Sequence, residues 1–183
     1  MKYENIDEKF VWKVPTKPLD IEKLVKVNSE MRYYHFDVQE INVQDLCKQN
    51  DFFDWLFKKH PYRAGLVKMD PNTLYDWHVD HLEGRTMRGV CINAVVTDSP
   101  SLVMFSENIE KLASQGGNEW QADIVPFTYE KNEVYIFNPT QSHSVYNFEN
   151  TRYLFSLQFG ENVHRLTYEQ LVNEVKTEYV AGK

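Results

Sequence analysis

Glycine and proline are scarce in this chain, at seven each in 183 residues, which argues against long flexible linkers, collagen-like repeats and low-complexity segments. Cysteine is scarcer still. Cys47 and Cys91 sit in unrelated segments, so there is neither a disulfide framework nor a CxxC pair, and both read as reduced core thiols. Positive charge is in deficit: 20 Lys and Arg stand against 27 Asp and Glu, for a formal charge of −7. A protein that works by gripping nucleic-acid phosphates would carry the opposite balance. No apolar run approaches the length of a membrane span. The first ten residues hold Glu4, Asp7 and Glu8 and no apolar stretch, unlike a signal peptide. The expectation is one domain over residues 1–183, in a reducing cytoplasm, with neither membrane nor nucleic acid as partner.

What is plentiful is core material, with 42% hydrophobic and 14% aromatic residues, enough for a sizeable interior. Residues 1–60 read as a largely helical part. Ile21, Leu24 and Val25 are spaced for a short helix over 19–27 with Asp20 as its cap, Tyr33 to Val38 reads as a strand, and a helix over about 43–59 ends in Lys58, Lys59 and Pro61. After Pro61 the texture changes to eight short apolar or alternating runs: 64–69, 74–79, 89–96, 102–106, 124–129, 133–138, 143–146 and 152–159. Strands at this spacing make a sandwich or barrel, over about 64–160. The polar stretch 107–120, with Gly116 and Gly117 inside it, reads as a longer excursion, part helix: either a lid or substrate loop, or simply a solvated connection. Thr167 to Gln170 has capping-box form and opens a C-terminal helix over about 167–180.

The stretch with most chemistry is Trp77-His78-Val79-Asp80. On a strand, residues two apart point the same way, so His78 and Asp80 project side by side. A second imidazole, His143, follows Pro139-Thr140-Gln141-Ser142 much later. Two histidines and a carboxylate with open positions make the facial triad of non-haem Fe(II) oxygenases. Tyr75 and Trp77 have the parity opposite to His78 and read as core; His35, His60 and His164 lack partners at ligand spacing. In the last strand Tyr153, Phe155, Leu157 and Phe159 form an apolar face suited to a helical cover. Arg152, Leu154, Ser156 and Gln158 form the other, and a buried arginine there demands an anion, because an unpaired buried charge is too costly. Arg152 is therefore the candidate anchor for an acidic co-substrate. Arg88, sharing parity with Val90, Ile92 and Ala94, is either a surface residue or a second contact to that carboxylate.

Taken together, Trp77 to Asp80, the run from Arg88 to Val96 and the run from Asn138 to Phe159 resemble the 2-oxoglutarate and Fe(II)-dependent dioxygenases. The likeness is greatest to the prolyl-hydroxylase-like branch, including small phage and bacterial members, and it covers roughly residues 64–160. It implies a mainly β fold with flanking α, a double-stranded β-helix (a cupin-like jelly roll) with helices packed on its larger sheet. It implies that His78, Asp80 and His143 bind iron, that Arg152 pairs with the far carboxylate of 2-oxoglutarate through its planar fork, and that Ser156 supplies a hydroxyl near it. Arg88 resembles a co-substrate contact of the aspartyl/asparaginyl hydroxylase branch. Prolyl hydroxylases often place a tyrosine where Ala94 stands. The implied activity uses Fe(II), 2-oxoglutarate and O2 and releases succinate and CO2 while hydroxylating a protein, peptide or small-molecule substrate. Two other readings stay open on the residues alone: a cupin-like metal enzyme without 2-oxoglutarate, and a jelly-roll binding module without metal.

Overall fold

Asn42 and Asn50 organise the first helical segment. The Asn42 side chain accepts from the N–H groups of Gln44 and Asp45 and starts α1 (Val43–Gln49); Asn50 accepts from Phe52 N–H and starts α2 (Asp51–Lys59). Asparagine at an N-cap satisfies otherwise orphaned donors. The single helix expected over 43–59 is therefore two, broken where Asn50 leaves helical geometry and also binds Thr16 Oγ1 and the Lys17 carbonyl.

The computed structural model describes residues 3, 6–24, 26–33, 36–82, 86–87, 89–99, 101–112, 119–159 and 166–182. In chain order the strands are β1 (Val11–Lys13), β2 (Lys26–Tyr33), β3 (Phe36–Ile41), β4 (Tyr62–Met69), β5 (Thr73–His78), β6 (His81–Leu82), β7 (Thr86–Met87), β8 (Cys91–Val95), β9 (Ser101–Leu112), β10 (Glu119–Phe127), β11 (Tyr135–Phe137), β12 (His143–Asn147) and β13 (Arg152–Phe159). Helix α3 (Tyr168–Glu174) follows and runs on as a π-helical stretch, Val175–Val180. The capping box at its start is formed, with Thr167 and Gln170 each bonding the other's backbone.

The strands form two main antiparallel sheets. The larger has the order β1-β11-β8-β13-β4-β3-β2 and the smaller β10-β9-β12-β5. From β4 onward the chain passes between them, save for β6 and β7, which pair with each other, and the β9–β10 pair, which stays in the smaller sheet; this is the winding of a double-stranded β-helix. All eight expected strands after Pro61 are found, and the helices pack on the larger sheet, where Phe53 of α2 meets Phe155 of β13 at 5.6 Å between ring centroids. Leu46, Phe52, Leu56, Leu171 and Val175 complete that layer. A second core lies between the sheets, with Phe10 stacked on Phe105 at 4.6 Å and with Phe127 and Phe137. Each such fully buried side chain contributes about 1.5–3 kcal/mol.

Three further expectations change. The helix over 19–27 is a single 3-10 turn, Ile21–Lys23, whose Asp20 makes no side-chain cap, followed by β2; pairing with β3 outweighs a weak helical period rich in β-branched residues. The strand read at 33–38 is instead the close of β2 and the start of β3. The excursion 107–120 is not helical where described: β9 and β10 run on as one ribbon, paired as far as Leu112 and Glu119, and residues 113–118 lie outside the described residues. The ribbon hides from alternation because it carries a bulge at Asn108, whose φ of 46° asparagine tolerates and whose amide donates to Asp123.

Gly89, just before β8, supports the start of α3: a Cβ there would collide with the carbonyl oxygen of Leu166. Backbone cannot yield as a side chain can. Gly89→Ala is therefore expected to cost about 1–3 kcal/mol, read as a lower urea midpoint with an unchanged slope.

Candidate active site

His78 ends β5 and His143 begins β12, and the two are direct partners across the antiparallel pair. Such partners bring their side chains within contact, and the imidazole centroids lie 4.2 Å apart. Asp80 lies just beyond β5 and not within it; its N–H donates to the Pro139 carbonyl at 3.0 Å, tying it to the loop that leads into His143. Asp80 Oδ1 is 3.4 Å from His78 Nε2 and 3.8 Å from His143 Nε2. The three ligand atoms lie within 4.8 Å of one another, and among the described residues this is the one group of three or more His, Cys, Asp or Glu side chains so arranged.

Both imidazoles are oriented the same way. His78 Nδ1 is 2.6 Å from the Asp76 carbonyl and His143 Nδ1 is 2.8 Å from the Gln141 carbonyl. A carbonyl can only accept, so Nδ1 carries the proton in each ring and Nε2 is left as the ligand, the arrangement that fixes metal-binding histidines. The Asp76 carbonyl is turned toward His78 where the register shifts: His143 pairs with His78, but Val145 pairs with Tyr75, so β5 holds one extra residue. The bulge also overturns the parity reading of Tyr75 and Trp77. Tyr75 comes to the side of His78, with ring centroids 4.1 Å apart, while Trp77 is 42% exposed and not core.

The same carboxylate shifts the two histidines in opposite directions. Burial lowers His78, but its hydrogen bonds to Asp80 and the Asp76 carbonyl and the nearby charges outweigh this and hold it above the ordinary histidine value. At His143, side chain 4% exposed, burial dominates over Asp80 and depresses it. A metal must displace the His78 proton. Its affinity should therefore fall on acidification from above the usual histidine range, by up to about tenfold per pH unit for one proton, while His143 stays neutral there. Titration with Co(II) across a pH series reads this directly; pH-independent binding over that window would contradict it.

Across the cavity, at the start of β13, Arg152 is 4% exposed. Among the described residues it has no carboxylate partner. Its Nη1 reaches only the Met69 sulfur at 3.9 Å, its Nε–H meets no acceptor, and its guanidinium lies 5.7 Å from the Tyr129 ring centroid. Burial lowers its proton affinity, countered by Tyr129. Ser156 lines the same cavity, beside Asn93, its partner in the β8–β13 pair. Asn93 Nδ2 donates to the Tyr129 hydroxyl at 3.4 Å, and Asn93 Oδ1 has no partner among the described residues. Burial pushes the Tyr129 phenol up, so it remains a donor. The cavity between the sheets, about 290 Å³, joins these groups to the histidine–aspartate cluster and is near the lower size limit of ligand sites.

The residues fit both groups that the sequence suggests. Two fixed imidazoles and a carboxylate on one side suit Fe(II) with positions left toward the cavity. A buried guanidinium with an unused N–H suits a small carboxylate. Arg88 lies outside the described residues. Ile92 and Ala94, whose parity it shares, pack under the helices, so the cavity face of β8 is Cys91 and Asn93. The phenol beside Arg152 is accordingly Tyr129 and not a residue at position 94. Asn93 and Cys91 were legible as the opposite parity of β8; nothing in the sequence marked Tyr129. No helix among the described residues is long and apolar enough to cross a membrane.

As a sequence, the chain matches no protein-family profile and no curated protein. As a fold, it is similar to a prolyl-4-hydroxylase from Pseudomonas putida (TM-score 0.42, 13% identity, 79% of this chain and 77% of that one). It is similar to the same degree to a 2OG-Fe(II) oxygenase family oxidoreductase from Burkholderia pseudomallei (0.42, 13%, 72% and 70%). A Cupin 2 conserved barrel domain protein from Salinispora arenicola is comparable (0.40, 13%, 81% and 90%). Likeness this distant does not choose between oxygenase and cupin.

Proposed function

We propose that the protein is an Fe(II)- and 2-oxoglutarate-dependent oxygenase that hydroxylates a protein or peptide side chain, of the prolyl or aspartyl/asparaginyl type. The observation that carries this is the placement of a buried arginine, without an anionic partner among the described residues, in one cavity with a His-Asp-His cluster. A metal enzyme of the cupin kind, working without 2-oxoglutarate, gives that arginine nothing to do.

His78, Asp80 and His143 hold Fe(II) by Nε2, Oδ1 and Nε2. The carbonyls of Asp76 and Gln141 keep each imidazole in the ligating tautomer. Arg152 pairs with the far carboxylate of 2-oxoglutarate, with Tyr129 and Ser156 as further donors. When bound, iron, 2-oxoglutarate and O2 together supply oxidative decarboxylation to succinate and CO2, coupled to placing one oxygen atom in a substrate C–H bond. Met69, Val103, Phe137, Val145 and Leu154 line the cavity and limit water around the co-substrate. Two thiols and a ferrous centre suit a reducing compartment such as the cytoplasm.

The test is succinate formation from 2-oxoglutarate in the presence of Fe(II) and O2. Succinate that requires both Fe(II) and an intact Arg152 supports the reading. Fe(II) bound tightly with no turnover of 2-oxoglutarate would favour the cupin-like enzyme.

A further inference from the structure

The Asp80 carboxylate has two oxygens with different neighbours. Oδ1 faces His78 and His143. Oδ2 lies 3.6 Å from the sulfur of Cys91, whose S–H donates to it. Cys91 is 1% exposed and stands on the cavity face of β8. Its strand belongs to the larger sheet, whereas Asp80 follows a strand of the smaller one. The contact therefore bridges the two sheets at the metal ligand that lies outside any strand. The same cavity holds two buried polar atoms without hydrogen-bond partners among the described residues, Arg152 Nε and Asn93 Oδ1, in side chains 4% and 7% exposed. Cys91 lies two residues before Asn93 on the cavity face of β8 and touches Asp80 of the histidine–aspartate cluster.

We propose that Cys91 is a positioning residue for the metal site. By donating to Oδ2 it restrains rotation of the Asp80 carboxylate and leaves Oδ1 alone to ligate. A carboxylate can take a metal through one oxygen or through both. If it took both, one of the positions that a co-substrate needs would be filled. The thiol thus sets how many positions stay open, acting through Asp80 without touching the metal. This inference rests on the metal site proposed above and adds the residue that governs its carboxylate.

Cys91 also packs among Val11, Phe105 and Phe137, so a purely structural role must be separable. Three substitutions of modest volume change do this, read by Co(II) titration of the purified protein without 2-oxoglutarate. Cys91→Ser keeps a donor, Cys91→Val fills the space without one, and Cys91→Ala does neither. The positioning role predicts that Val and Ala both weaken Co(II) binding by about 10–100-fold, as loss of such outer partners does, and that Ser retains most of the affinity. It also predicts a weaker ligand-field absorption in Val and Ala, because a two-oxygen carboxylate raises the coordination number. A packing role predicts the reverse order, with Val best and Ser, a buried hydroxyl among apolar rings, worst. That order, or equal affinity in all four proteins, overturns the inference while leaving the metal site standing. Failure of the unsubstituted protein to bind Co(II) would remove the metal site itself, and this role with it.

Discussion

Arg152→Met is expected to make the protein more stable and at the same time blind to 2-oxoglutarate. The two effects have one cause. The guanidinium is taken out of water at the start of β13 and meets only the Met69 sulfur and the Tyr129 face among the described residues. The ring offsets part of the desolvation, by about 2 kcal/mol for a desolvated pair. A buried charge without an anion costs more than that, and replacing buried ionic groups by apolar ones of similar volume is often stabilising by about 1–4 kcal/mol. Methionine has the length and flexibility to fill the space beside Met69 and Leu154. The same substitution removes the only buried arginine or lysine lining the cavity among the described residues, and loss of one member of a desolvated charge pair costs about 2–5 kcal/mol, roughly 30-fold to several thousandfold in affinity. Thermal unfolding with Mn(II), with and without 2-oxoglutarate, separates the two. The unsubstituted protein should gain about 2.7 kcal/mol at a ligand concentration a hundred times its dissociation constant. The variant should start higher and gain no more than about 0.9 kcal/mol at the same concentration. A variant less stable than its parent would mean that Arg152 is structurally paired and not waiting for a ligand.

His143→Ala is expected to leave a folded protein that no longer holds a divalent metal. His143 packs at 4.9 Å from Phe137 and 6.0 Å from Phe105, so its removal leaves a small void in a core otherwise held by those rings. The jelly roll does not depend on it, because β12 keeps its backbone pairing to both β5 and β9. The metal does depend on it. Two of three ligands remain, and the loss should exceed the about 10–100-fold that removal of a mere outer partner causes. Asp80→Asn provides the matching control: it keeps the shape, removes the charge, and should also release His78 from its raised proton affinity. Circular dichroism of both variants checks the fold and Co(II) titration checks the site. Unchanged Co(II) affinity in His143→Ala would break the cluster's assignment as a metal site.

Much of this was legible in the chain because strands alternate. The β13 pattern placed Phe155, Leu157 and Phe159 under the helices and Arg152 and Ser156 in the cavity, and the structure has them there. His78, Asp80 and His143 were legible as residue types; the β5–β12 register brings the two histidines together, and Asp80, just past β5, is held by its bond to the Pro139 carbonyl. What alternation could not supply is what breaks it. The bulge in β5 moves Tyr75 to the His78 side and Trp77 out to solvent, and a bulge leaves no mark in a two-residue period. Tyr129 follows β10 and reaches Arg152 only through the pairing of distant segments. The N-terminal strands β2 and β3 were obscured because Ile21, Leu24 and Val25 mimic a helical stripe, while the pairing that decides their state lies in β3 and β4. Arg88 lies outside the described residues; Ile92 and Ala94, which share its parity, face the helices.

The most direct measurement is anaerobic titration of the metal-free protein with Fe(II) and then 2-oxoglutarate, followed by visible absorption. Chelation of ferrous iron by the 2-oxo acid gives a weak charge-transfer band that neither component gives alone. A saturable band, lost in His143→Ala and weakened in Arg152→Met, is the predicted result. Fe(II) bound without a band on adding 2-oxoglutarate, or no Fe(II) bound at all, would contradict the account.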